Sequence, residues 1–228
     1  VGPEVAAKAL GHEELYGRCL PVVIGDEQPI RDALEAAGLD LKLNLIGSPA
    51  EAMGKAGTLD LIPLGLIGPG DWQYGAVSPK AGEAAYRYVE KGIALAMAGE
   101  AHAVVTGPIN KEAVNLAGHH YAGHTEIFAA LTGAKDYAML LTSPTLRVIH
   151  ATTHVSMRQA CDRVTKERVL TVIRLAREAM AMLGIESPRI GVAGLNAHCS
   201  EHGLFGDEEE KWIAPAVEAA RAEGIGAE

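Results

Sequence analysis

The sequence predicts an α/β fold built on mainly parallel sheets with helices on both faces. Three observations carry that reading. Short apolar runs rich in β-branched residues alternate with longer amphipathic stretches. Glycine and alanine are abundant while aromatic residues make up only 4% of the chain, which favours close packing of helices on a sheet over aromatic surfaces. The order strand, helix, strand, helix calls for helical crossovers between parallel strands, and in such folds ligands sit outside the carboxyl ends of the strands.

Taken in order, the runs at residues 21–25, 41–46, 103–106, 137–142, 146–152 and 189–194 read as buried strands. Ser78-Pro79 opens a helix, with serine at the cap and proline at the first helical position. The clearest helix spans 166–183. There Val169, Val172, Ile173, Ala176, Ala179, Met180 and Leu183 recur at helical spacing behind Thr165 as N-cap. A third helix covers 206–224, its first turn carrying Asp207, Glu208 and Glu209, where acidic groups suit the helix dipole. Gly2-Pro-Glu4 reads as a turn already under way, so a short leading strand and loop are expected ahead of Val1, and further chain is expected after Glu228.

Composition narrows the function classes. The 228 residues are 48% hydrophobic and 21% charged, as ordinary globular chains are. At that length one large domain or two smaller lobes are both possible. A net charge of -9 offers no basic face for a phosphate backbone, which argues against nucleic acid. No apolar run reaches the roughly 20 residues needed to span a bilayer, which argues against a membrane role. Cys19, Cys161 and Cys199 are widely spaced, with no C-x-x-C pair, which fits a reducing, cytoplasmic compartment.

Several motifs could carry chemistry. Thr106-Gly-Pro-Ile-Asn-Lys111 follows an expected strand and opens a helix, so backbone N–H groups and the Lys111 ammonium could converge on an anion; alone it is equally an ordinary strand-to-helix turn. Gly123-His-Thr-Glu126 places His124 and Thr125 at a helix mouth, where Thr125 could instead be a simple cap. His119 and His120 read as surface residues. His154 and His198 each follow an expected strand, where an imidazole can ligate a metal or carry a proton; the alternative is two hydrogen-bonded loop histidines. His198 and His202 are four apart, but the polar run ending at Gly203 favours a loop over a zinc-binding helix. Gly65-Leu-Ile-Gly68-Pro-Gly70 lacks both dinucleotide and P-loop spacing and reads as a turn.

Together, Gly2-Pro-Glu, Thr106-Gly-Pro-Ile-Asn-Lys111, Gly123-His-Thr-Glu126, Ala151-Thr-Thr-His154 with Arg158, and Gly194-Leu-Asn-x-His198 followed by Gly206-x-Glu-Glu209 resemble, in order and spacing, the 4-hydroxythreonine-4-phosphate dehydrogenase family of vitamin B6 (pyridoxine) biosynthesis. The resemblance runs along nearly the whole chain. It implies a two-lobed fold related to isocitrate and isopropylmalate dehydrogenases, with lobes at 1–118 and 119–228, the second incomplete because a C-terminal segment is missing. It also implies a homodimer with its active site at the interface, NAD or NADP as cofactor, and a divalent metal such as Zn, Mg or Co. By the same resemblance His154 and His198 are metal ligands, His124 and Thr125 bind substrate, and Lys111 belongs to the catalytic centre. The family's third metal histidine sits in a Tyr-His-Asp-Gln-like motif that this sequence does not contain.

The implied reaction is NAD(P)-dependent, metal-assisted oxidation and decarboxylation of 4-phosphohydroxy-L-threonine. Some residues depart from the family's pattern. Ala197, Cys199 and His202 stand where it usually has Pro, Ala and Gly, and His154-Val-Ser-Met-Arg is closer to the paralogous branch acting on D-threonate or D-erythronate 4-phosphate. That branch is the alternative substrate reading. A catalytically silent ligand-binding relative is the alternative of another class.

Overall fold

The computed structural model describes residues 1–228 and divides into two compact units, Val1–Gly133 and Ala134–Glu228.

The first unit is organised around a three-stranded parallel sheet. It opens with helix α1 (Gly2–Leu10), followed by strand β1 (Val23–Gly25), helix α2 (Glu27–Ala37), β2 (Lys42–Leu45) and β3 (Thr58–Pro63). The strand order is β1-β3-β2, so β3 is central and pairs in parallel with both neighbours. Its side chains alternate as a pleated strand requires. Leu59 and Leu61, both essentially inaccessible, pack with Ala7 and Leu10 of α1 and Ile30, Ala33 and Leu34 of α2. Ile62 turns to the opposite face and packs with Leu95 of helix α3 (Pro79–Met97). Helices therefore cover both faces of the sheet, and each buried leucine contributes about 1.5–3 kcal/mol.

Ser78 caps α3 by accepting from the Ala81 N–H, with Pro79 in the first turn as expected. Two short helices complete the unit, α4 (Lys111–Leu116) and α5 (His124–Thr132). Gly82 of α3 lies so close to α4 that a β-carbon there would meet the Ala113 carbonyl oxygen at 2.1 Å; only glycine permits this approach. Ile127 of α5 joins Tyr86, Val89, Ile93 and Val114 in one cluster, with Tyr121, Phe128 and Leu131 packed against it. That shared cluster ties α5 into the compact unit that runs through Gly133.

The second unit begins with an antiparallel pair, β4 (Leu140–Thr142) and β5 (Arg147–Ile149), followed by α6 (Met157–Arg163), α7 (Lys166–Met182) and α8 (Ala214–Ala222). Thr165 caps α7 through the Arg168 N–H, and its buried stripe is Val169, Val172, Ile173, Ala176 and Met180. Ala216 and Ala220, both fully buried, let α8 pack closely against Val169 and Ile173.

Several local expectations change. Residues 103–106 form no strand, and Val105 is 94% exposed: β-branched residues alone do not make a ladder without a partner. Residues 189–194 make only a parallel bridge, Ile190 to Ala227. The strand β3 was not expected, and the β4–β5 pair is antiparallel rather than parallel. Gly2-Pro-Glu4 is the first turn of α1, with proline where a missing N–H costs nothing. The expected helix over 206–224 divides into a wide π turn at Glu209–Ile213 and α8, because Pro215 has no N–H to return along the helix. No helix is long and apolar enough to cross a membrane.

Candidate functional site

Lys111, His124 and Thr125 all belong to the first unit. Asn110 caps α4 by accepting from the Ala113 N–H at 2.9 Å, and this fixes where Lys111 starts. From there the lysine reaches the beginning of α5. A β-carbon on Gly123 would lie 3.7 Å from Lys111 Cε and 3.8 Å from Nζ. Gly123 itself occupies the cap position, so Thr125 sits inside the first turn and is not the cap. Lys111 is exposed, while His124 and Thr125 are half-buried.

Burial first, and the neighbouring Lys111 charge second, push the His124 imidazolium below its ordinary pKa of 6.5. The ring is thus neutral at pH 7. Its Nε2 is buried and makes no hydrogen bond within the chain. An α-helix start with no side-chain cap, an ammonium beside it and a neutral imidazole nitrogen awaiting a partner together suit an anionic, hydroxyl-bearing ligand.

His119, expected at the surface, is instead part of the packing. Its ring stacks on Tyr86 with centroids 3.6 Å apart, and Nε2 meets Glu83 Oε2 at 2.6 Å. His120 is exposed.

His154 and His198 belong to the second unit. Both are exposed and share an unusual backbone, with φ of 55° and 52°. His154 lies just ahead of α6, whose N-terminus is closed by a reciprocal capping box between Ser156 and Gln159. His198 opens a run of five left-handed residues, His198, Cys199, Ser200, Glu201 and His202, none of them glycine. His198 and His202 consequently do not stand on one face of a right-handed helix. The His198 ring lies 6.0 Å from Phe205, centroid to centroid. Nowhere in the chain do three or more His, Cys, Asp or Glu side chains group to hold a metal ion.

The strained turn is held from outside. Glu209, almost fully buried, accepts from the Leu195 and Asn196 N–H groups at 2.7 Å each and from the Asn196 amide at 2.9 Å. Burial would raise its carboxyl, but these donors outweigh that and hold it below the ordinary carboxylate range. Glu208 takes a second donation from the same Asn196 amide at 2.7 Å.

One further carboxylate escapes sequence reasoning. Asp26 follows β1 and looks like a plain N-cap for α2, yet its side chain caps nothing there. It accepts four consecutive backbone N–H groups, from Leu64, Gly65, Leu66 and Ile67, at 2.6 to 2.9 Å, and the Tyr88 hydroxyl at 2.8 Å. Burial pushes its carboxyl up, but the five donors prevail and keep it ionised below its usual 3.8. The glycine-rich stretch after β3 is therefore a backbone nest wrapped around an internal anion. The available signal was a Gly-Asp pair at a strand end together with that glycine-rich loop.

Residues 17–228 match the family described as pyridoxal phosphate biosynthetic protein PdxA. D-Threonate 4-phosphate dehydrogenase of Pectobacterium atrosepticum is 45% identical over 226 residues, 99% of this chain and 69% of that protein. The enzyme of the same name from Cupriavidus necator is 44% identical over 225 residues, 98% of this chain and 67% of its own. Among solved structures, 4-hydroxythreonine-4-phosphate dehydrogenase of Klebsiella pneumoniae superposes with a TM-score of 0.89 at 43% identity, covering 99% of this chain and 68% of that one.

Proposed function

The chain belongs to the PdxA family, and on that premise we propose that it is a cytoplasmic, homodimeric dehydrogenase that oxidises and decarboxylates a four-carbon phosphorylated hydroxy acid, D-threonate 4-phosphate or its erythronate epimer. The observation that carries it is the start of α5, where the Lys111 ammonium stands beside Gly123 and the neutral His124 keeps a buried nitrogen without a partner. The free state of all three cysteines fits the compartment.

In this reading Lys111 and the N–H groups of the first turn of α5 hold the substrate's anionic end, since both contribute positive potential to the same spot. Neutral His124 hydrogen-bonds a substrate hydroxyl through Nε2, and the Thr125 hydroxyl orients the same end of the molecule. His154 and His198 supply two imidazoles for a divalent cation; as donors they suit zinc or cobalt, and further ligands are needed to complete a coordination sphere. When bound, a nicotinamide dinucleotide takes the hydride and the cation polarises the hydroxyl under oxidation.

A second reading, 4-phosphohydroxy-L-threonine as substrate in pyridoxal phosphate biosynthesis, is favoured by the name of the Klebsiella structure. A panel assay following NADH and NADPH formation separates the two. We expect D-threonate or D-erythronate 4-phosphate to have a kcat/KM at least tenfold above that of the aminated substrate. The reverse order establishes the second reading. Tight binding of these phosphates without reduction of either dinucleotide establishes a silent relative and removes both.

A further inference from the structure

We infer that the cavity between the start of α2 and residues 69–74 is a nucleoside subsite, which takes one ring-and-ribose half of a nicotinamide dinucleotide. The cavity is an open groove with a volume of about 350 Å³, lined by Gln28, Asp32, Trp72, Gln73 and Tyr74 together with Pro69 and Gly70.

Position is the first argument. Gln28 and Asp32 stand on the helix that leaves the carboxyl end of β1, and residues 69–74 belong to the connection that leaves the carboxyl end of β3, its parallel neighbour. Open α/β sheets bind their ligands at that edge.

Preorganisation is the second. The root of the loop is tied down by Asp26 through Leu64, Gly65, Leu66 and Ile67. Asp71 then accepts from the Gly68 N–H at 2.8 Å and pairs with Lys80 at 2.7 Å. Beyond these fastenings the aromatic tip is left uncovered: Tyr74 is 72% exposed and Trp72 half-buried, although neither contributes to a core cluster. A rigid base presenting two unspent aromatic faces is an arrangement for stacking a planar ring at low entropic cost.

Chemistry is the third. The Gln28 amide donates to Asp32 Oδ1 at 2.7 Å, which leaves Asp32 Oδ2 and the Gln28 carbonyl oxygen as acceptors. Ribose hydroxyls and exocyclic amines are the donors that such a pair accepts from. No basic side chain lines the cavity, so it does not suit a phosphate group. A phosphate group is thereby disfavoured, and a nucleoside moiety, neutral or cationic, is retained.

The assignment rests on the dehydrogenase reading for the identity of its ligand. The chain's two tryptophans, Trp72 and Trp212, make the test direct. In a Trp212→Phe background, NAD⁺ should quench Trp72 fluorescence saturably, and calorimetry should show NAD⁺ Kd raised about tenfold by Trp72→Ala and largely restored by Trp72→Phe, as loss of one ring-stacking contact predicts. Saturable quenching of Trp72 by adenosine identifies the adenosine half as the occupant, and quenching by nicotinamide riboside identifies the other half. If NAD⁺ binds and Trp72→Ala leaves its Kd unchanged, the cavity is not the subsite and the dehydrogenase reading stands. If calorimetry detects no binding of NAD⁺ or NADP⁺, both fall.

Discussion

Two loops, one in each unit, are fastened in the same way and differ in what the fastening supports. Residues 64–67 in the first unit wrap four N–H groups around buried Asp26; residues 195–196 in the second place two N–H groups and an amide on buried Glu209. Within the Asp26 anchor the chain turns at Gly65, whose φ of 69° costs a glycine almost nothing. After the Glu209 anchor, five non-glycine residues, His198 to His202, adopt φ between 45° and 64°. Left-handed helical backbone costs an L-residue about 1–2 kcal/mol. The first loop is thus relaxed and structural. The second stores strain that its anchor must offset, and it carries one of the two proposed cation ligands. Strain of that kind persists where surrounding structure over-determines it, characteristically at functional sites.

The comparison is broken most severely at Asp26. Asp26→Ala leaves four backbone N–H groups and the Tyr88 hydroxyl without their acceptor in a buried site, and should cost about 3–5 kcal/mol in urea unfolding of the protein. A loss under about 1 kcal/mol would show that water replaces the carboxylate and that the nest is incidental.

A matched pair of glycine substitutions tests the difference in strain. Gly65→Ala, at a position with open space around its missing β-carbon, should destabilise by about 1 kcal/mol through backbone conformation alone. Exposed Glu201→Gly should move the other way, stabilising by a few tenths to about 1 kcal/mol, because relief of left-handed strain exceeds the added chain entropy. Equal destabilisation by both would mean that the second loop holds no strain. If the strain serves the proposed cation site, Glu201→Gly should also weaken zinc affinity in equilibrium dialysis while raising stability.

The smallest expected effect is a pH dependence at His124. Its folded pKa lies below the unfolded value of about 6.5, so in mildly acidic solution the unfolded chain binds a proton that the folded site refuses. Its contribution to stability is complete above about pH 6.5 and declines as pH falls from there toward the folded pKa. Replacing it with glutamine removes the titration, so the stability difference between pH 7.5 and 5.5 should shrink relative to the unsubstituted protein. An unchanged pH slope would mean that the ring is not held neutral.

Local rules written in the sequence account for much of what the structure contains. The Ser78-Pro79 start of α3, the Thr165 cap and the apolar stripe of α7 follow from capping chemistry and helical periodicity, both of which act within a few residues. The ordered polar motifs carry the signature of the PdxA family, to which the chain belongs. Other features depended on partners distant in sequence. Strand β3 contains Asp60, which interrupts its apolar run and is tolerable in a central strand only because Asn44, Met53 and Gly54 satisfy it. Residues 103–106 carry the β-branched composition of a strand and form no ladder. The placement of α5 with the first unit was set by Ile127 finding Tyr86, Val89 and Ile93. Nor could Asp26 be told from an ordinary helix cap until the loop closed upon it 38 residues later. Periodicity and capping are properties of a short segment, so the sequence alone determines them. Whether a charge can be buried, a run becomes a strand or a turn bears strain depends on which distant groups arrive to pair with it, and only the tertiary structure decides that.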